Sequence, residues 1–474
     1  MAYVAYVTQL KNLRKHPNAD RLQLAECFGN TVCVSMEYTA DQVGIYFPTD
    51  GQLSVAFAEY NNLLRKKDEN GNNIGGYMDP DKRNVTTIRL RGEKSDGLFL
   101  PLSCLDYCYP DIKGGAASML NIGDTIDVIN GHDICTKYIP KTKPRNQSTP
   151  EGNKTRKKKV PVAPLFQEHA DTEQLAYNLA AFRPGDLVEI TLKMHGTSQR
   201  TANLPRFEGY KRTLLDRLFR REGKAQYDWG CVSGTRRVVL EDFDGGFYGS
   251  NEFREAHSKV FEGKLHKGET VYYEVVGFTT SGTPIMADAD NKKLNDKDFE
   301  KQYGKTTRFS YGCSPDGHKT LYGRDDDGDF ELETTVPQSD IYVYRMTITN
   351  EDGDVVEYSP YFMRYRCEQM GVKTVPVLWQ GYIPQSTGDP AAIELGQTAG
   401  EWIRAKAEEF YDGPDPIGKT HVREGVVVRI LNRPKFCAYK HKNFSFKVLE
   451  GIVKADAAAP DMEEAQDVTQ EGEA

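Results

Sequence analysis

Lys193-Met194-His195-Gly196-Thr197-Ser198 sets a lysine, a histidine and a glycine side by side, directly after an alternating run from Leu187 to Leu192. Alternation of this kind predicts a half-buried strand, so Lys193 is expected at a strand tip with a glycine turn behind it. A lysine so placed can act as a covalent nucleophile toward phosphorus once its amine is deprotonated, a state that neighbouring cations and desolvation favour. The plainer reading is a surface lysine ahead of a turn, and the rest of the chain decides between the two.

Four later segments carry chemistry that fits the first. Ser233-Gly234-Thr235-Arg236-Arg237 closes a run of strand character with two guanidiniums, which suit anionic oxygens. Val271 to Phe278 is an apolar strand pattern holding one carboxylate, Glu274. Burial of that group is costly unless it meets a partner such as a ribose hydroxyl or a metal. Arg423-Glu424-Gly425-Val426-Val427-Val428-Arg429 repeats the pattern, and Tyr439-Lys440-His441-Lys442 puts Lys440 and Lys442 on one face of an extended strand. Together these segments supply a nucleophilic lysine, cations for phosphate, a ribose contact, a metal carboxylate and an aromatic for stacking. That is the equipment for transferring a nucleotidyl group through a phosphoramide.

Two other motifs are set aside. Gly413 to Thr420 fits the Walker A pattern, but a helix is expected before it and a strand after it, the reverse of a phosphate-binding loop. Pro414 and Pro416 also remove two backbone donors. Asp325-Asp326-Asp327-Gly328-Asp329 lacks the ligand spacing of a calcium loop and reads as an exposed acidic turn.

The elements that must position these residues fall into an α+β arrangement. Strands are expected at 187–193, 231–239, 270–278, 341–348, 422–430 and 443–450, and a helix over Thr398 to Phe410 with Trp402, Ile403, Ala407 and Phe410 on one face. Residues 1–136 read as short strands and turns with one helical stretch, Val55 to Lys66, a composition that suits a small β-barrel. Residues 137–163 form a proline-rich basic linker; nine Lys or Arg and one acid lie between Lys137 and Val160. Its Arg156-Lys157-Lys158-Lys159 run is either a solvated tether or a phosphate contact. Residues 164–453 make one larger unit. An acidic tail, 454–474, is expected to be disordered.

The chain has 474 residues and a net charge of -8, which argues against a uniformly basic nucleic-acid binder. No apolar run is long enough to cross a membrane, and no signal peptide is visible. The nine cysteines are scattered without a zinc pattern, as expected of reduced thiols in a cytoplasmic protein.

In order and content the five segments resemble the motifs of the covalent nucleotidyltransferase superfamily, the ATP-dependent ligases and capping enzymes, over about 165–450. Most DNA ligases and capping enzymes carry K-x-D-G in the first motif. Lys193-Met194-His195-Gly196 resembles instead the nick-sealing class of RNA ligases that includes the editing ligases. The resemblance implies an antiparallel-sheet, ATP-grasp-like ligase domain that uses ATP and Mg2+ or Mn2+. It implies that Lys193 takes AMP, that His195 and Gly196 belong to the nucleotide pocket, that Tyr272 stacks on adenine and that Glu274 binds the ribose. Glu424 would place the metal, and Lys440 and Lys442 would contact phosphate oxygens. Arg236 or Arg237 would engage the phosphate of the polynucleotide end. Ser198 stands where asparagine is usual, Tyr273 where a small glycine is usual, and Tyr344-Arg345 where an acid is common. An insert of about 281–340 separates these motifs and matches none of them.

His16-Pro17-Asn18-Ala19-Asp20-Arg21-Leu22 and Leu90 to Leu98 resemble the two signature segments of tRNA-binding OB domains. An N-terminal OB-like β-barrel follows from that resemblance, with Arg89, Arg91 and Lys94 as nucleic-acid contacts. The expected partner is RNA, as a nicked duplex or a broken tRNA-like substrate; no membrane is expected, and a monomer is favoured. A DNA or hybrid ligase with the same chemistry, or an inactive RNA-binding protein, are the alternatives.

Overall fold

A computed structural model of the chain describes residues 3–70, 73–139, 161–169, 172–219, 223–240, 243, 248–325, 328–385, 397–433 and 435–455. The chain divides into two compact units, Met1–Pro140 and Lys141–Ala474.

In the first unit, β1 (Ala5–Gln9), β2 (Lys11–Lys15), β3 (Leu22–Cys27), β4 (Asn30–Ser35) and β5 (Val43–Phe47) precede α1 (Val55–Tyr60), and β6 (Thr87–Leu90), β7 (Glu93–Asp96), β8 (Leu98–Pro101) and β9 (Thr125–Ile126) follow it. One antiparallel sheet has the order β8-β5-β1-β9, a second has the order β2-β3-β4, and β6 and β7 form a hairpin. Among the described residues these remain separate sheets, and none closes on itself into a barrel. Val7, Ile45, Phe47, Leu53, Phe57 and Leu105 are fully buried at the core. The α1 helix starts where the Ser54 hydroxyl accepts from Phe57 N–H and ends at Tyr60, six residues short of the expected Lys66 end. Lys66–Lys67 pairs instead with Asn73–Gly75.

The expected linker is ordered at both ends. Strand Cys135–Lys137 pairs with Gly51–Leu53, and Tyr138 is buried. At the other end Phe207 N–H donates to Val162 O, and Ala163 is buried with Phe166. The basic run Arg156 to Lys159 lies outside the described residues, as does the tail beyond Ala455.

The second unit is built on β10 (Leu187–Lys193), β11 (Thr197–Lys211), β12 (Lys224–Gly234), β13 (Glu269–Gly277), β14 (Ser339–Thr349), β15 (Val377–Tyr382), β16 (Gly425–Ile430) and β17 (Cys437–Lys442). One sheet runs β17-β16-β10-β15, and Glu173–Gln174 adds the only parallel pairing among the described residues of that sheet. The other sheet runs β12-β11-β13-β14, with short strands at both edges. The arrangement is mixed α+β with mostly antiparallel sheets.

Side-chain alternation divides the first of these sheets. Val188, Ile190, Val426 and Val428 face one way, and Ile403 and Ala407 of a helix, Ala399–Glu408, pack on them. That helix begins at a capping box made by Thr398 and Glu401. Lys193, Thr191, Glu189, Val427 and Arg429 face the other way, toward polar partners described below.

Strands β10, β13 and β14 fall where alternation places them, and β12 ends at Gly234, which leaves Arg236 and Arg237 in the turn that follows. The segment 443–450 is a correction: Phe444–Ala455 is a helix. Phe444, Phe446 and Val448 alternate as in a strand, but the Asn443 side chain accepts from Phe446 N–H and starts a helical turn, and Phe446 and Leu449, three apart, are both buried. No helix among the described residues is long and apolar enough to cross a membrane.

Candidate active site

The ends of β10, β16 and β17 lie in one row. Lys193 is opposite Gly425, and Gly425 is opposite Lys442. Gly425 is required by this close approach: a Cβ there would lie 2.2 Å from His441 O, and its φ is +149°. The glycine places the preceding Glu424 beneath both lysines. Its carboxylate is 2.7 Å from Lys193 Nζ and 3.4 Å from Lys442 Nζ, both at Oε1, with 2% of the side chain exposed. Lys442 is also held by both oxygens of Glu450 at 2.8 Å.

Burial pushes the Glu424 carboxyl up, but Lys193, Lys442 and His195 outweigh it and hold the group well below the usual carboxylate range. Glu424 is therefore an anion. Its other oxygen, Oε2, is buried and has His195 Nδ1 3.6 Å away, beyond hydrogen-bond range. Such an oxygen fits a hydrated divalent cation. Among the described residues no three His, Cys, Asp or Glu side chains group as a metal cage. A cation here would be held by Glu424, by water and by phosphate oxygens, the usual habit of Mg2+.

Gly196 connects Lys193 to the second sheet. A Cβ on it would lie 2.4 Å from Val275 O and 2.9 Å from Glu274 Cγ, so only glycine lets the chain pass this close to β13. Glu274, with 8% of its surface exposed, is thereby brought beside the turn that follows Lys193. It pairs across the strands with Ser198 and Tyr342. Ser198 Oγ is 2.8 Å from Tyr344 Oη.

Tyr272 sits two residues before Glu274 on the same face, 5% exposed. The Arg345 guanidinium lies over its ring, 4.8 Å from the centroid, and the His169 ring meets it edge-on at 5.0 Å. In this conformation one face of the Tyr272 ring is covered by Arg345. The register slips by one between Tyr272 and Tyr273, which makes Tyr344 the bulged residue and sets Arg345 opposite Tyr272. Arg345 is fixed by a two-pronged bond to Glu357 and by Phe436 at 4.5 Å; Arg429 also reaches Glu357, at 3.3 Å.

Tyr273, where a small glycine was expected to be usual, points into the core instead, and its hydroxyl meets Thr201 Oγ1 at 2.9 Å. Arg236 and Arg237 lie in a turn braced by buried Arg200, which donates to Thr235 O at 2.8 Å and to Arg237 O at 3.3 Å and lies 4.1 Å from the Phe166 ring centroid. Burial pulls the Arg200 guanidinium down to about 10. Lys440 shares the face of Lys442, two residues before it and opposite Val427 and Gln174.

Several contributors were not among the expected site residues, and Arg345 stood out only as a departure where an acid is common. Glu450 is hidden by the strand-like look of its segment. His169, Arg345, Glu357 and Arg429 come together from four separate places in the chain. The Walker-like loop, by contrast, is occupied by its own chain: Asp415 Oδ1 accepts from Ile417 and Gly418 N–H at 2.8 and 2.9 Å, so those amides are not a phosphate cradle.

In the first unit, the two segments that suggested an OB-like domain hold each other. The His16 ring bonds Leu90 O at 3.0 Å and Asn18 N at 3.0 Å, and the Asn18 side chain donates to Arg91 O at 3.0 Å. His16 is fully buried, whereas Arg91 and Lys94 are exposed. Arg89 lies directly opposite Lys94 in the hairpin.

No family model and no curated protein matches the chain. Solved structures do. An apo variant of the Naegleria gruberi RNA ligase superposes with a TM-score of 0.52 at 17% identity, over 94% of this chain and 97% of that one. A second variant of the same ligase, with ATP and Mn, gives 0.52 at 16% identity over 94% and 98%. A third, also with ATP and Mn, gives 0.51 at 16% over 94% and 97%. The likeness spans nearly the whole of both chains, so the chain has the fold of an RNA ligase structure.

Proposed function

We propose that the chain is an ATP-dependent RNA ligase that seals 3′-OH and 5′-phosphate ends through a lysyl-AMP intermediate. The observation that carries this reading is the buried, anionic Glu424 shared by Lys193 and Lys442 at adjoining strand ends. In the first step Lys193 Nζ gives up its ammonium proton to solvent and attacks the α-phosphorus of ATP; an N–P bond forms, the P–O bond to pyrophosphate breaks, and a second amine proton is released to solvent. Glu424 then loses its ion pair with Lys193 but keeps Lys442, so the buried carboxylate is never left unneutralised. Lys440 and Lys442 stand on the face toward which phosphate oxygens would project, and Glu274 would take the ribose. A divalent cation, Mg2+ or Mn2+, would supply charge neutralisation at Glu424.

In the second step an oxygen of the 5′-phosphate displaces Lys193 from the AMP phosphorus, with Arg236 or Arg237 engaging that phosphate. In the third the 3′-hydroxyl attacks the 5′-phosphorus and AMP leaves. Tyr272 would stack on adenine with Arg345 against the ring or displaced from it. The N-terminal unit is assigned an OB-like role, contacting RNA through Arg89, Arg91 and Lys94.

A nick-sealing assay tests the proposal. A 5′-phosphorylated nick in RNA, with ATP and Mg2+, should be joined by the wild-type chain and left open by Lys193→Ala. Faster sealing of matched DNA or hybrid nicks would shift the substrate class, and RNA binding without any joining would favour the inactive alternative.

A further inference from the structure

The insert of about 281–340 supplies part of the core under the nucleophile. Ile285, Leu294, Phe309 and Tyr311 belong to the same buried cluster as Leu192, Met194 and Phe446. One of them does more than fill space. The Tyr311 hydroxyl accepts from the backbone N–H of His195 at 2.7 Å, across 116 residues of sequence. That N–H belongs to the Met194–His195 peptide, one bond chain beyond Lys193.

Tyr311 takes an unfavourable backbone conformation to do so. Its φ is +48°, a region that bulky side chains rarely adopt. Such strain persists only where the surroundings impose it, and it gathers at functional sites. Here the ring is 3% exposed and is held 4.5 Å from the ring of His421, itself fully buried. The neighbouring Phe309 meets the His195 ring edge-on at 4.6 Å, and Phe446 meets it at 4.7 Å from another side. The insert thus fixes His195 twice, by its peptide and by its ring, with Nδ1 left 3.6 Å from the carboxylate that pairs with Lys193. A residue that only fills the core needs neither a hydroxyl at the peptide nor a left-handed backbone.

We infer that Tyr311 is a positioning residue for nucleotidyl transfer, its hydroxyl locking the Met194–His195 peptide so that Lys193 and His195 are both aimed at Glu424. The inference rests on the lysyl-AMP reading and extends it to the insert.

The test compares full-length wild type, Tyr311→Phe, Phe299→Leu and His195→Ala by single-turnover gain of AMP, with the ATP dependence and Tm of each. Tyr311→Phe keeps the ring and removes only the acceptor of a part-buried N–H. Its rate at saturating ATP should fall about tenfold to a hundredfold, with the half-saturating ATP concentration within about twofold of wild type. Phe299→Leu loosens the same insert away from His195; it should lower Tm and keep the rate within about threefold. In a His195→Ala background the backbone N–H and Lys193 remain, so Tyr311→Phe should still slow the reaction, but by a smaller factor than in wild type, because the share that acts through the imidazole is already lost. An unchanged rate in Tyr311→Phe, an equal rate loss in Phe299→Leu, or fully multiplicative losses with His195→Ala would each overturn the inference. A wild-type chain that gains no AMP would instead overturn the lysyl-AMP reading, and the inference with it.

Discussion

At the level of single residues, the site turns on one carboxylate serving two ammonium groups. Glu424 is held ionised against burial because Lys193, Lys442 and His195 surround it. Its depressed pKa makes an acid-side prediction. The stability it contributes is fully present above the unfolded carboxyl value, about 4.3, and is lost as pH falls below that value toward the folded one. Glu424→Gln should therefore lower stability by roughly 3 kcal/mol at neutral pH, the lower end for breaking a buried pair because Lys442 keeps Glu450. Its Tm gap from wild type should narrow as the buffer is taken from pH 6 to about pH 3. A gap that is constant with pH would mean that the carboxylate is not the charged partner. The chemical identity of these residues was legible in the sequence, since lysine, glutamate and glycine recur at strand ends in a fixed order. The contact of Arg345 with Tyr272 was not, because it arises through a one-residue register slip between β13 and β14.

At the level of elements, two glycines let three strands and a turn converge. Alternation was enough to find β10, β13 and β14 and to set Lys440 and Lys442 on one face, because period-two burial is a local property of the chain. It misassigned the helix Phe444–Ala455, where a short alternating run of aromatics competed with an Asn443 cap, and so it missed Glu450. It had nothing to say about the insert, whose bond to His195 spans 116 residues and leaves no local pattern. The glycine argument gives a sharp test. Gly196→Ala would bring a methyl 2.4 Å from the Val275 carbonyl, so β10 and β13 must separate locally. The expected cost is about 1–3 kcal/mol of stability, with AMP gain falling by at least about a hundredfold because Lys193 and Glu274 are displaced together. Thermal unfolding and AMP labelling of Gly196→Ala measure both, and labelling at the wild-type rate would show that the turn tolerates a side chain.

At the level of the whole molecule, the proposed chemistry divides between the two units. Lys193, Glu424 and Tyr311 all lie in Lys141–Ala474, whereas the hairpin with Arg91 and Lys94 lies in Met1–Pro140. Charge reversal at both, Arg91→Glu with Lys94→Glu, should weaken RNA binding and flatten its salt dependence, since two proposed phosphate contacts would be lost, and leave AMP gain from ATP unchanged. Equal RNA affinity in a salt titration would remove the first unit's hairpin from the RNA surface. The resemblance of the two N-terminal segments to a binding domain was legible in residues that hold the hairpin, His16 and Asn18, more than in residues that face solvent. Intact-mass measurement after incubation with ATP and Mg2+ decides whether Lys193 becomes covalently linked to AMP: a gain of one AMP that maps to Lys193 and is absent from Lys193→Ala is expected, whereas no gain, or a gain that survives that substitution, would rule out the lysyl-AMP intermediate.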